Sequence, residues 1–249
     1  MKILLTGDDG YDTIGIQLLI NLLKNDHDLT IVATKTEQSG TGGAVSIKEK
    51  VWGETDVNGA KAYWVDGKPA EAMEFAQGLF GSNSFDLIIA GLNWGENIGY
   101  VINSSGTVGA AFRGIALNLA PHALIFSWVT QQADWYGEQK SNSDMSKLLI
   151  YPGGMIKQLI DYCAEKEYWN KKFVNINFPN NPTDKIQITK LQKDITKYYK
   201  YPVEIDKEKH TYKYPEENYE PIDITQADLE IDANALRAGY ISITPIVLE

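Results

Sequence analysis

The sequence predicts an α/β protein: a doubly wound, mainly parallel sheet with helices on both faces and an antiparallel β arm near the C-terminal end. Three observations carry this expectation. Short apolar runs of strand length recur through the first 180 residues or so: ILL at 3–5, LTIVA at 29–33, FDLIIA at 85–90, HALIFS at 122–127 and FVNINF at 173–178. Stretches of helical periodicity separate them, the βαβ alternation that implies parallel strands. From about residue 181 that alternation fades and Tyr and Lys become dense. We read residues 1–249 as one domain, with a core over about 1–180 and an appendage over about 181–249.

In chain order, Ile3, Leu4 and Leu5 form a buried strand that runs into Gly7-Asp8-Asp9-Gly10. Ile14, Leu18 and Leu22 recur four apart, with Leu19 and Leu23 beside them, and predict an amphipathic helix over 13–24. The second strand, Leu29 to Ala33, leads into TKTEQSGTGG, a loop by composition. Residues 45–66 alternate weakly around Asn58-Gly59, a hairpin signal. Pro69 opens the helix AEAMEFAQGLF from a permitted first-turn position. Strand 85–90 is followed by a segment in which Gly91, Gly95 and Gly99 recur, suited to backbone that approaches something closely. Ser104-Ser105-Gly106-Thr107 then opens a helix to about Leu119. Strand 122–127, a helix within 143–167 interrupted at Pro152-Gly153-Gly154, and strand 173–178 complete the core. In the tail, KIQITKLQ, YKYPVEI and GYISITPIVL are strand-like, and residues 204–220 read as an exposed hairpin or arm. Such a tail is expected to stand apart from the parallel sheet as an antiparallel oligomer contact.

Composition narrows the function. The net charge is −10, so no basic footprint for nucleic acid is expected. The one cysteine, Cys163, lies in the helix LIDYCAEK and reads as a packed small side chain. Met-Lys runs directly into a strand, and no apolar run approaches membrane-spanning length. The expected location is cytoplasmic.

Two adjacent carboxylates at a strand exit repel each other and are partly desolvated by packing. A divalent cation between Asp8 and Asp9 removes both costs. The plain alternative is one Asp capping the helix and the other facing water. Ser39 leaves the same sheet edge after the second strand, and Asn93 follows the third core strand. A turn hydroxyl is the plain role for Ser39. Ligands of open parallel sheets bind outside the carboxyl ends of the strands, so these residues share one rim. Two carboxylates, a hydroxyl and an amide form an all-oxygen set suited to Mg²⁺ or Mn²⁺ rather than zinc. The SSGTVGAA helix start offers free N–H groups to an anion, with simple N-capping by Ser104 or Ser105 as the alternative. A metal beside an anion site implies a phosphate substrate and an activated water.

These residues carry a resemblance to the SurE family of survival proteins, which are metal-dependent nucleotidases. LLTGDDGYDTIGI resembles its opening strand, NDDG and helix; EQSGTGGAVS its second motif; AGLNWGENIG and SSGTVGAA its third. GKPAEA, NINFP and GYISITP are weaker matches, all in the family's order. The resemblance implies a Rossmann-like core and a swapped C-terminal arm that makes homodimers or homotetramers. It implies hydrolysis of nucleoside 5′- or 3′-monophosphates with one divalent ion per subunit. Asp8, Asp9, Ser39 and Asn93 would be the metal ligands; Asn97, Ser105, Gly106 and Thr107 would contact phosphate. A metal-activated water would attack, with Asp8 or Asp9 the nearest base. Gly7, Ser104, Arg113 and Lys68 stand where the family often has Asn, Tyr, Glu and Thr, departures that bear on substrate preference and turnover. A receiver domain would need an Asp after the third strand and a Lys after the fifth, where the chain has GLN and FPNN. A haloacid-dehalogenase-type phosphatase would need Asp-x-Asp at the first strand. A non-catalytic nucleotide- or sugar-phosphate-binding module remains as the alternative.

Overall fold

In a computed structural model the chain forms a nine-stranded sheet flanked by helices, plus a separate two-stranded ribbon. The structure describes residues 1–130, 145–166, 168, 173–198, 203–214 and 227–246. The central strand β1 (Lys2–Thr6) is buried on both sides, as its apolar run requires. Helix α1 (Ile14–Leu23) returns the chain to β2 (Asp28–Thr34), which pairs parallel with β1. The hairpin β3 (Trp52–Val57) and β4 (Ala60–Val65) turns at Asn58 and Gly59, both at positive φ, and β4 adds parallel to β2.

Helix α2 (Pro69–Phe80) then carries the chain back across the sheet to β5 (Leu87–Trp94), on the other side of β1. Helix α3 (Gly106–Ala116) leads to β6 (Ala123–Trp128). Two helices, α4 (Ser146–Ile150) and α5 (Gly153–Glu165), precede β7 (Phe173–Phe178). The apolar faces of α1 and α5 pack on one side of the sheet through Leu18, Leu19, Ile156 and Leu159. Those of α2 and α3 cover the other through Met73, Ala76, Val108 and Ala111. The doubly wound, Rossmann-like expectation therefore holds.

Two boundaries moved. Strand β5 runs on past Ala90 to Trp94, through an irregularity between Ala90 and Asn93, because β6 still offers partners there. Helix α3 starts at Gly106, preceded by a 3-10 turn over Gly99–Ser104. Residues 143–144 and 167 of the expected 143–167 helix lie outside the described residues, as do 199–202, 215–220 and 247–248 of the tail segments.

The tail needs a larger correction. Among the described residues only β9 (Glu204–Asp206) and β10 (Thr211–Lys213) form a separate antiparallel arm. Strand β11 (Ile241–Ile246) enters the main sheet antiparallel to β7, and β8 (Ile186–Ile188) adds parallel to β11. Periodicity could not reveal this, since β11 gains its place by pairing with β7, which is distant in sequence. A short helix α6 (Asp232–Arg237) precedes β11. Its Asp232, fully buried, accepts N–H groups from Gly99 at 2.7 Å, Gln192 at 2.8 Å and Ala233 at 2.8 Å. The tail is thereby tied to the loop after β5.

Asp232→Ala leaves three N–H donors, two buried and one half-buried, without their partner. It should lower unfolding free energy by about 3 kcal/mol in urea titrations. Glu230→Ala, which breaks only the exposed pair with Lys190, should leave the urea midpoint unchanged.

Candidate active site

The strand order places a gap in the crossovers between β1 and β5. From β1 the chain winds outward through β2 to β4, then returns to β5 on β1's other flank and winds outward again. At such a switch point the loops diverge and leave a crevice at the carboxyl ends. Asp8, Ser39, Asn93, Asn97 and Ser105 all line one cleft there, with Gly95, Glu96 and Ser104. The structure thus gathers residues that the sequence spreads over nearly 100 positions.

Asp8 is buried, and Thr107 Oγ1 donates a hydrogen bond to its Oδ1. The same hydroxyl lies 3.1 Å from Asn93 Oδ1, so one proton serves two acceptors. Asn93 is oriented by its amide, which donates to Gly95 O at 2.8 Å. A Cβ on Gly106 would stand 2.6 Å from Asp8 Oδ2, so only glycine lets the start of α3 come this close. Ser105 caps that helix by accepting from Val108 N at 3.2 Å, the simple role open to it. Ser39 sits in the loop after β2, which is latched onto β1 by Gln38 N donating to Asp8 O at 2.7 Å.

Asn97 is held from beneath. Its N–H donates to Asn177 Oδ1 at 2.8 Å, and its C=O accepts from Asn175 at 2.6 Å and Asn177 at 2.9 Å. Its amide donates to Ser127 Oγ at 2.8 Å. Asn175, Asn177 and Ser127 were not singled out in the sequence. Their signal was present: polar residues inside buried strands, two of them at i, i+2 on one face, need specific partners.

The electrostatics of the pair are unfavourable for two free anions. Burial raises the Asp8 carboxyl above its ordinary 3.8, an effect the Thr107 hydrogen bond only partly offsets. Burial and then the Asp8 charge raise Asp9 well above the same value. Asp9 Oδ1 is enclosed and has no hydrogen-bond partner. An orphaned carboxylate oxygen beside a second carboxylate fits a divalent cation, which satisfies the oxygen and cancels the repulsion. The donor set fits too: carboxylates, the Asn93 amide oxygen and the Ser39 hydroxyl are hard ligands. No group of three or more His, Cys, Asp or Glu able to hold a metal exists among the described residues, so the neutral oxygens are needed.

The departures from the family pattern do not disturb this arrangement. A Cβ at Gly7 would meet only Gly91 N, at an ordinary 3.8 Å. Lys68 Nζ donates to Gln38 Oε1 at 2.7 Å, bracing the Ser39 loop. Ser104 bonds Val101 O at 2.8 Å, and Arg113 pairs with Glu74 at 3.5 Å. Cys163 is buried, its thiol pushed up to about 12 by that burial, as a packed residue should be. Among the described residues no helix is long and apolar enough to cross a membrane.

Comparison with known proteins agrees with this geometry. Residues 3–200 match the family model for survival protein SurE. The 5′-nucleotidase SurE of Archaeoglobus fulgidus is 30% identical over 264 residues, which span all of this chain and 92% of that protein. That of Methanoculleus marisnigri is 31% identical over 266 residues, with the same coverage. The crystal structure of the SurE protein from Aquifex aeolicus superposes with a TM-score of 0.72 at 25% identity, covering 100% of this chain and 94% of that one. With motif order, sheet topology and whole-length similarity in agreement, this chain belongs to the SurE family.

Proposed function

We propose that the chain is a divalent-metal-dependent phosphomonoesterase that hydrolyses nucleoside 5′-monophosphates, and 3′-monophosphates, to nucleoside and phosphate. The observation that carries this reading is the Asp8–Asp9 pair at the end of β1, with Asp8 buried against the start of α3 and one Asp9 oxygen left without a partner. The name 5′-nucleotidase borne by full-length relatives supports it.

Asp8, Asp9, Ser39 and Asn93 would hold Mn²⁺ or Mg²⁺. The ion, when bound, supplies a Lewis acid for a phosphoryl oxygen and lowers the pKa of a water. Asn97, Ser105, Gly106 and Thr107 would receive the phosphate, with the N-terminal dipole of α3 directed at its charge. Thr107 holds Asp8 in orientation through its hydroxyl. Asp8 or Asp9 takes a proton from the attacking water as the new P–O bond forms. The ribose oxygen leaves with the electrons of the broken P–O bond and takes up the proton that the aspartate received from the water. The molecule works in the cytoplasm as a homodimer or homotetramer built on the β9–β10 arm, where Ile205, Tyr212 and Tyr214 are exposed.

A phosphate-release panel over nucleoside monophosphates with Mn²⁺, Mg²⁺ or chelator tests the reading. Release that requires metal is expected; no release from any nucleotide with either ion would favour a binding module. Asp8→Asn or Asp9→Asn should cut turnover to below about one hundredth of wild type. Gly106→Ala should cost about a hundredfold with unchanged circular dichroism, because its methyl displaces Asp8.

The pair also sets a pH dependence. Both carboxyls are raised in the fold, so their contribution to stability is full below 3.8 and is lost as pH climbs through the raised values. Chelated Asp9→Asn should therefore melt above chelated wild type at pH 7, and the gap should close on acidification towards 3.8. Added Mn²⁺ should reverse the order at pH 7, read by calorimetry.

A further inference from the structure

Trp94 is the one aromatic side chain among the described residues that line the cleft. It follows Asn93 directly in β5, so the two side chains leave opposite faces of the strand. Asn93 turns to α3, where its Oδ1 meets Thr107 Oγ1 at 3.1 Å. Trp94 rests half-buried against the core of the other face, which α1 and α5 cover, as do Tyr11 and Trp128. The carboxyl end of β5 thus carries a candidate metal ligand on one face and an indole on the other.

The indole is held by its neighbour. Trp94 and Trp128 are register partners on adjacent parallel strands. Their rings meet edge to face, 5.5 Å between centroids and 68° between planes. Gly95 N donates to Trp128 O at 2.9 Å and ties the two backbones together. Both indole N–H groups are enclosed and have no hydrogen-bond partner. Buried donors normally find one, so apolar packing alone does not account for two tryptophans at this edge. A nucleobase supplies what is missing: a π face for the indole, and ring nitrogens or carbonyl oxygens at its edge as acceptors.

We propose that Trp94, braced by Trp128, is the nucleobase subsite of the cleft and stacks on the base of a bound mononucleotide. The proposal rests on the nucleotidase reading above. With the phosphate at the start of α3, the ribose carries the base over the end of β5 to the indole. Every base has a π face, so this subsite favours nucleotides as a class over other phosphomonoesters and discriminates weakly among bases.

The test compares kcat/KM for adenosine 5′-monophosphate and ribose 5-phosphate, which share sugar and phosphate and differ by the base. The full-length chain is assayed with Mn²⁺, and the ratio of the two values is the readout. Wild type should favour the nucleotide. Trp94→Leu, which stays apolar and loses the ring, should lower that preference about tenfold through a raised KM for the nucleotide. Trp94→Phe, which keeps a ring, should retain most of it. Trp52→Ala, at an exposed position on β3, is the control and should retain all of it. A Trp94 that only packs the core would shift both substrates alike and leave the ratio unchanged. Equal use of both substrates by wild type, an unchanged ratio in Trp94→Leu, the same loss in Trp94→Phe, or an equal loss in Trp52→Ala would overturn the proposal. A second measurement needs neither turnover nor a variant: adenosine should quench the tryptophan emission of the chelator-treated wild type, and no quenching overturns the subsite. Trp94→Leu should lose that quenching, and retaining it in full overturns the subsite too. Phosphate released from neither substrate would take down the nucleotidase reading itself, and the adenosine titration then decides the subsite alone.

Discussion

Two adjacent carboxylates packed at the end of a central strand are the constraint on which the rest of this molecule turns. Asp8 is buried, Asp9 is half-buried, and one enclosed Asp9 oxygen has no partner. Elements on every side are shaped to them. Thr107 donates its hydroxyl, Gly106 gives up a side chain so that α3 can approach, and the β2 loop ties its backbone to Asp8 O. Desolvation on this scale is retained only where another interaction offsets it. The divalent ion proposed above would supply that offset.

The second layer is neutral and rigid. Asn175, Asn177 and Ser127 form a polar patch inside buried strands, and it clasps the backbone and side chain of Asn97. Because each partner is itself fixed in a sheet, the loop after β5 inherits the precision of β6 and β7. The tail continues the same logic. Asp232 and Gln192 hold Gly99 and Tyr100 from below, so the C-terminal segment is a support for the site as well as the last part of the sheet.

Much of this was legible in the residues. The apolar runs marked β1, β2, β5, β6 and β7, the Asn58-Gly59 hairpin was marked by its turn chemistry, and α1 by its stripe. The switch-point rule places Asp8, Asp9, Ser39 and Asn93 on one rim, and Asp8, Ser39 and Asn93 line one cleft. The misses share one cause. Strands β8 and β11 read as strand-like, but their place in the main sheet has no local signature because their partners lie far away in sequence. The roles of Asn175, Asn177 and Asp232 depend on what each side chain meets, and periodicity records only which face it occupies.

Local pattern thus sufficed for the fold class, the family and the residue types gathered at one sheet edge, since propensity, alternation and crossover geometry act over short spans of chain. The tertiary structure alone decided which oxygens face one another, which are satisfied and which is orphaned, because those depend on ångström-level approach between segments distant in sequence. It also decided where the tail belongs. A strand is added where its neighbour has free hydrogen-bonding groups, and β7 presented them to β11, as β11 did to β8.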